Sequence, residues 1–123
     1  MTPLLSITEM AARTGLSADT LRYYEREGLI APPPRTNGRR RYSERDESWI
    51  RLVARLRNTG MPIARLRRYA ELARAGEATT GERRELLLGH RQAVAARIAA
   101  LQDDLKAIDD KIETYERFER RTP

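Results

Sequence analysis

The sequence Thr20-Leu21-Arg22-Tyr23-Tyr24-Glu25-Arg26-Glu27-Gly28-Leu29-Ile30 decides the fold that we expect for this chain. Ser17 suits the N-cap of a helix that contains most of this stretch, and Gly28 suits its end. At 100° per residue, Leu21 and Tyr24 share a face of that helix, which we expect to lie in the core. The opposite face carries four polar side chains: Asp19, Arg22, Tyr23 and Arg26. Such a face suits phosphates and the acceptor edge of guanine, whereas the alternative is a solvated face whose arginines pair with neighbouring glutamates.

A shorter helix comes before this one, and the turn between the two is tight. The sequence from Ser6 to Glu9 fits a capping box, which predicts that a helix begins there. Gly15 ends this helix, and the small side chain of Ala11 allows the two helices to approach closely. We therefore expect a helix-turn-helix, in which the second helix enters the major groove of DNA.

A basic β-hairpin is predicted after the second helix. The three prolines of residues 32–34 favour extended backbone. Asn37-Gly38 fits the two central positions of a type I′ turn, both of which need positive φ. Residues 34–36 and 39–42 would form the two strands. The turn is surrounded by Arg35, Arg39, Arg40 and Arg41, which repel one another unless phosphates lie nearby. The alternative, a disordered basic loop, does not account for the Asn-Gly turn.

Two further helices and a linker complete the N-terminal part. Ser43 and Asp46 start the third helix, whose apolar face is formed by Trp49, Leu52, Val53 and Leu56. The fourth helix begins near Pro62 and repeats Ile63, Leu66, Ala70 and Ala73 on one side. Thr79 and Glu82 fit a capping box for a last, long helix. We predict a DNA-binding domain in residues 1–75, a linker in 76–80, a dimerisation helix in 81–119 and a tail in 120–123.

The last helix has a heptad repeat. Its apolar positions, which from the second onward alternate steps of four and three, are Leu87, Val94, Ile98, Leu101, Leu105, Ile108, Ile112 and Tyr115. At ~1.5 Å per residue the helix would be about 60 Å long. No second long helix in the sequence would cover this stripe, so we expect a homodimer. The alternative is a helix that folds back on its own domain, and Arg91 interrupts the stripe near its start.

Charge is distributed unevenly along the 123 residues. Residues 1–75 carry fifteen Lys and Arg against eight Asp and Glu, a net charge of +7, whereas residues 76–123 carry nine against ten. A basic part joined to a near-neutral part favours nucleic acid as the partner of the first and protein as the partner of the second. A general preference for arginine would explain the choice of Arg over Lys but not this asymmetry.

The composition argues against several other classes of protein. Without cysteine the chain has no disulfide or thiolate metal site, and we expect no metal and no cofactor. With one histidine and no convergent pair of carboxylates, we expect no enzyme. No apolar run approaches the ~20 residues that cross a bilayer, and the N-terminus lacks the pattern of a signal peptide. We therefore expect a cytoplasmic protein without a membrane partner.

Together these segments resemble the signature of the MerR family of transcription regulators. The resemblance is carried by residues 7–11, by the stretch 20–30, and by Arg39-Arg40-Arg41-Tyr42-Ser43 with Asp46. It covers residues 5–75 by motif and the remainder by architecture. It implies a mainly α fold: a winged helix-turn-helix with a small β-hairpin wing, followed by a long C-terminal helix that forms an antiparallel coiled coil in a homodimer.

The resemblance also implies where such a protein contacts double-stranded DNA and how it acts. Contacts would come from the second helix, the hairpin wing and a second wing near Met61-Pro62. They would involve Thr20, Arg22, Tyr23, Arg26, Arg40, Arg41, Tyr42, Arg65, Arg68 and Tyr69. Family members bind a pseudo-palindrome in a promoter with an overlong spacer. They act there on transcription by RNA polymerase through distortion of that DNA, which is a shape-based mechanism.

The chain departs from the family pattern in three respects. Having no cysteine, it lacks the metal-sensing and thiol-responsive sites of some members. We expect no large drug-binding domain after Tyr115, and residues 60–63 lack the usual aromatic residue of the second wing. Our hypothesis for regulation is a small organic effector that binds between the fourth and last helices, near Tyr69 and His90.

The main alternative function is that of an architectural or excisionase-like DNA-binding protein, which would use the same winged module. The long dimerisation helix favours promoter regulation instead. A coiled-coil scaffold that does not bind DNA would leave the arginine-rich hairpin unexplained.

Overall fold

The computed structural model describes residues 4–122; residues 1–3 and 123, at the outer ends of the predicted domains, lie outside the described residues. The elements are α1 (Ile7–Thr14), α2 (Ala18–Arg26), β1 (Arg35–Thr36), β2 (Arg39–Arg40), α3 (Glu44–Asn58), α4 (Ile63–Arg74), a 3-10 helix (Glu77–Thr79) and α5 (Thr80–Arg121). The predicted fold, mainly α with one small hairpin and a long last helix, is confirmed. The chain forms two compact units, of which the first ends at Leu86 and the second begins at Leu87.

Serine side chains begin the first three helices, as predicted. The Ser6 hydroxyl accepts a hydrogen bond from the amide of Glu9 at 3.1 Å, and the Glu9 carboxylate accepts one from the amide of Ser6 at 3.0 Å. Ser43 and Asp46 form the same reciprocal pair at the start of α3. Because each cap satisfies amides that the helix leaves without a partner, helix boundaries follow from these short sequences.

The core of the first unit lies where α1 packs against α2 and α3, and where α3 packs against α4. Its most deeply buried side chains are Met10, Leu21, Leu29, Tyr42, Ile50, Val53, Met61 and Leu66. The predicted apolar face of α3 is partly wrong: Ile50 is buried, whereas Trp49 and Leu52 are half-buried. Trp49 lies at the edge of the core because its indole N–H donates to the carbonyl of Leu29 at 2.8 Å.

The hairpin is shorter than predicted. β1 and β2 are antiparallel, with Arg35 opposite Arg40 and Thr36 opposite Arg39. Tyr42, expected in the second strand, forms an isolated antiparallel bridge with Leu5 instead, and two backbone hydrogen bonds of 2.7 Å join them. The base of the hairpin is therefore attached to the segment that precedes α1.

The segment before the long helix differs from its prediction. Thr79 does not cap α5, because its hydroxyl donates to the carbonyl of Leu72 at 2.5 Å and to that of Gly76 at 2.9 Å. α5 begins at Thr80 and ends at Arg121, so it includes the last residue of the predicted linker and two residues of the predicted tail. None of the helices formed by residues 4–122 is long and apolar enough to span a membrane.

Candidate nucleic-acid interface

The orientation of α2 is set by its cap and by two buried side chains. The hydroxyl of Ser17 accepts a hydrogen bond from the amide of Thr20 at 3.0 Å, after a turn in which Gly15 has a φ of 75°. That φ lies in the left-handed region, which glycine adopts without steric cost. Leu21 and Tyr24 are buried. At 100° per residue their burial leaves the polar face of α2 on the outside.

The outer face of α2 carries an arginine whose ion pair with a neighbouring carboxylate is weak enough to be replaced by DNA. Arg22 donates to the carboxylate of Asp19 at 3.0 Å, and its side chain is 41% exposed. An exposed pair of this kind contributes about 0–1 kcal/mol, so a phosphate or a base can replace Asp19 at little cost. Tyr23 is half-buried and Arg26 is exposed on the same outer face.

The hairpin holds its arginines around a rigid turn. Asn37 and Gly38 have φ values of 53° and 75°, which fits the predicted type I′ turn. Across the turn, Arg35 donates to the carbonyl of Gly38 at 3.2 Å. The amide of Arg41 donates to the carbonyl of Pro34 at 2.8 Å and closes the base of the hairpin. The basic hairpin is thus an ordered wing with a defined backbone.

A charged hydrogen bond joins the wing to α2. The Nε of Arg40 donates to the carboxylate of Glu25 at 2.7 Å, and the two side chains are 21% and 15% exposed. Such hydrogen bonds between ionised groups are short and stronger than neutral ones. The two Nη groups of Arg40 make no other hydrogen bond within the described part of the chain, so they can still donate to a phosphate. Glu25 is thereby a positioning residue for the wing.

A hollow of about 310 Å³ lies where α1, α2 and the wing meet. Its lining residues are Ser6, Ile7, Thr8, Arg22, Gly38, Arg39 and Arg40. Three guanidinium groups therefore share one surface with the N-terminus of α1, whose partial positive charge also favours an anion. This arrangement suits the phosphodiester backbone of DNA beside the groove that α2 would enter.

Glu9 illustrates the electrostatics of this region. Hydrogen bonds from the backbone and then the side chain of Ser6 lower the pKa of the Glu9 carboxyl, and the positive charges of Arg41 and Arg13 act in the same direction. Glu9 is consequently ionised at neutral pH and stays committed to capping α1. It leaves the arginines of the wing free to meet an external anion.

Two of the predicted DNA contacts, Tyr42 and Tyr69, have side chains that lie in the core of the free protein. Tyr42 is buried, and burial is the main cause that raises the pKa of its hydroxyl. Tyr69 is also buried, and its ring stacks on that of Trp49 with centroids 5.4 Å apart and planes 6° apart. A buried phenol does not reach a phosphate unless the core opens.

The structure places the other predicted contacts in two groups. The first group lies on α2 and the wing, and of its members Arg22 and Arg40 line the hollow. The group consists of Thr20, Arg22, Tyr23, Arg26, Arg40 and Arg41. Arg65 and Arg68 belong to α4 instead, where both are exposed. Arg68 lies 3.7 Å from the carboxylate of Glu71 and 3.4 Å from that of Glu82.

The structure also brings in residues that the sequence analysis did not select as contacts. Ser6 and Thr8 line the hollow, and the capping box was the signal that pointed to a helix N-terminus there. Arg39 lines it as well, as its place in the arginine run suggested. The role of Glu25 had no local signal, because its partner is fifteen residues away in the chain.

Comparisons with known proteins agree with this geometry. The family model "MerR HTH family regulatory protein" matches residues 5–72, and the model "MerR, DNA binding" matches residues 48–111. An uncharacterised HTH-type transcriptional regulator of Haemophilus influenzae is 35% identical over 108 residues, which cover 87% of this chain and 80% of the relative.

Two solved structures are similar to this chain along most of their length. A MerR family transcriptional regulator from Listeria monocytogenes is 41% identical, with a TM-score of 0.86, and the match covers 91% of this chain and 86% of that one. HiNmlR, a MerR family regulator that lacks the sensor domain and is bound to promoter DNA, is 32% identical, with a TM-score of 0.83 and coverage of 96% and 94%. With its helix-turn-helix, its basic wing and these relatives, the chain belongs to the MerR family of DNA-binding transcription regulators.

Proposed function

We propose that this regulator binds a pseudo-palindromic operator as a homodimer in the cytoplasm and acts on transcription by distorting promoter DNA. In this proposal residues 1–75 bind DNA, 76–80 form a linker, 81–119 dimerise through an antiparallel coiled coil and 120–123 form a tail. RNA polymerase at the same promoter would read the distortion. The observation that carries the proposal is the exposed apolar stripe of α5.

The stripe is long, regular and exposed. Six side chains at heptad positions are between 48% and 67% exposed: Ile98, Leu101, Leu105, Ile108, Ile112 and Tyr115. Full burial of a large aliphatic side chain stabilises by about 1.5–3 kcal/mol, so half of that remains available from each when a partner covers the stripe. Steps of three and four residues suit a second helix with the same pattern. Leu87 and Val94 are half-buried, and Phe118 adds one exposed apolar step at the C-terminal end.

Two-fold symmetry of the dimer explains why the operator would be a pseudo-palindrome. Each protomer contributes one α2 and one wing, and a two-fold axis places them on inverted half-sites. The proposed contacts are Thr20, Arg22, Tyr23, Arg26, Arg39, Arg40, Arg41, Arg65 and Arg68. HiNmlR supports this proposal, because it is a regulator without a sensor domain and is bound to promoter DNA.

Selection of bound sequences from a random duplex pool at physiological salt, followed by footprinting, tests the operator. We expect an inverted repeat that is protected symmetrically. Binding without any enriched sequence would favour the architectural or excisionase-like alternative, and absence of binding would refute the proposal.

Sedimentation equilibrium of two matched variants tests the dimer. Leu101→Lys places a charge in the stripe, whereas Ala99→Lys places the same charge outside it, two residues away. We expect the first variant to dissociate at concentrations where the second remains dimeric. Equal behaviour of the two variants would mean that the stripe is not the dimer interface.

A further inference from the structure

An apolar cavity of about 230 Å³ lies within the first unit, away from the DNA-facing hollow. It is lined by α3, by α4 and by the segments that flank the wing; none of its lining residues lines the hollow. Trp49, Ile50 and Ala73 contribute to its wall. An engineered apolar cavity of about 150 Å³ binds benzene. The cavity therefore has room for one aromatic ring with a short substituent.

One residue of the wall has a buried polar atom without a partner. Tyr42 lines the cavity, and its hydroxyl is buried without a hydrogen bond to any of the described residues. Buried hydroxyls are nearly always hydrogen-bonded in native proteins. Because this oxygen is itself buried, a bound molecule would not reach it without a movement of the core.

The charged residues of the lining favour an anion. Arg45, Asp46 and Arg74 contribute to it. The carboxylate of Asp46 already accepts a hydrogen bond from the amide of Ser43 at 2.9 Å. Arg45 forms no ion pair within residues 4–122, and Arg74 donates only to a backbone carbonyl. The lining thus includes two arginines and one carboxylate, and that carboxylate is committed to a helix cap.

We propose that this cavity binds a small aromatic carboxylate, with the ring against Trp49 and the carboxylate held by Arg45 or Arg74. The site differs from the place near Tyr69 and His90 that the sequence suggested. Tyr69 does not line this cavity; its ring stacks on that of Trp49, which does.

The lining residues also hold the two DNA-facing elements. Trp49 donates to the carbonyl of Leu29, and Arg74 donates to that of Gly28 at 3.2 Å, immediately after α2. Tyr42 is bridged to Leu5 at the base of the wing. Ligand binding would therefore bias the position of α2 and of the wing together. This regulatory part rests on the proposed function, and linkage requires ligand and operator to change each other's affinity by the same factor.

Binding is tested first without DNA. Trp49 is the one tryptophan of the sequence, so its fluorescence reports on the cavity directly. We expect phenylacetate to cause a saturable change in emission, and its neutral isostere phenylacetamide to bind at least tenfold more weakly. Ala73→Leu fills the cavity and should abolish the change, whereas Ala64→Leu, on the exposed side of α4, should preserve it. Thermal melts establish that both variants fold.

Three outcomes would overturn the ligand site: no saturable change with phenylacetate, equal binding of acid and amide, or unchanged binding by a folded Ala73→Leu variant. Emission that changes when the protein is diluted, but not when phenylacetate is added, would instead assign the cavity to a second copy of the chain.

The titration is then repeated on the complex with selected operator DNA. A several-fold and reciprocal change in both dissociation constants supports the regulatory part, and independent binding overturns it. If the protein binds no DNA, the proposed function is refuted, whereas the phenylacetate titration of the free protein still decides whether the ligand site exists.

Discussion

Replacement of Glu25 by alanine tests whether the wing depends on α2. Glu25 carries a negative charge beside a surface that binds an anion, so simple electrostatics predicts that its removal strengthens DNA binding. The structure predicts the opposite, because the carboxylate of Glu25 holds the guanidinium of Arg40 at 2.7 Å. The sign of the change in dissociation constant therefore separates the two explanations.

The magnitudes favour weaker binding. Loss of one charge about 10 Å from a phosphate is worth about 0.4 kcal/mol in water before salt screening. Each side chain that must be immobilised again on binding costs about 0.5–1.5 kcal/mol. With Arg40 released, the cost exceeds the gain by about 0.6 kcal/mol at the middle of that range, which is roughly threefold in Kd. Because the pair is mostly buried, the free energy of unfolding should also fall by about 1–2 kcal/mol.

Fluorescence anisotropy with labelled operator DNA at physiological salt measures the first quantity, and urea denaturation measures the second. Glu44→Ala is the matched control, since Glu44 lies exposed in the first turn of α3 without an ion pair within residues 4–122. We expect this control to bind DNA as the wild type does, or slightly more tightly. Tighter binding by Glu25→Ala, or binding equal to that of the control, would refute the positioning role.

Two further predictions concern individual side chains. Arg22→Ala should lower discrimination between operator and random DNA by about 1–3 kcal/mol, whereas Arg41→Ala should weaken binding to both equally. Competition assays on the two DNA sequences measure both effects. Equal losses of affinity for the two sequences in Arg22→Ala would mean that Arg22 contacts a phosphate. Tyr42→Phe should raise the free energy of unfolding at pH 7 by about 1 kcal/mol, because it removes a buried hydroxyl without a partner. Burial raises the pKa of Tyr42 above its ordinary value of 10, so the unfolded chain ionises first and the wild type loses stability as the pH rises past 10. Tyr42→Phe should not show this loss of stability above pH 10. Calorimetry of the variant and the wild type at pH 7 and above pH 10 measures both effects. A variant that is less stable than the wild type at both pH values would contradict the prediction.

Local signals explain what the sequence predicted well. The caps at Ser6, Ser17 and Ser43 and the turn at Asn37-Gly38 each involve groups within four residues of one another. Such interactions depend on the identity of a few neighbouring side chains, so the helix starts and the hairpin follow from short motifs. The helix-turn-helix and its outer face follow from the same reasoning.

Long-range packing explains what the sequence did not predict. Tyr42 and Tyr69 have both an apolar ring and a polar hydroxyl, and tyrosine occurs both in cores and at interfaces. The resemblance placed Tyr42 among the DNA contacts, but Tyr42 is bridged to Leu5 at the base of the hairpin and its side chain is buried. The partnership of Arg40 with Glu25 depends on how the wing packs on α2, and no spacing in the sequence reports that contact.

The same packing connects the core helices to the segment that follows α2, and it therefore offers a route for regulation within the DNA-binding unit. The backbone that follows α2 is held by side chains of α3 and α4, through Trp49 on Leu29 and Arg74 on Gly28. Arg67 of α4 also donates to the carbonyl of Glu27 at 3.1 Å. Three consecutive carbonyls after the helix that faces DNA thus depend on residues of the core helices. We therefore expect a change in the packing of α3 against α4 to alter the placement of α2, which is the route by which the proposed ligand would act.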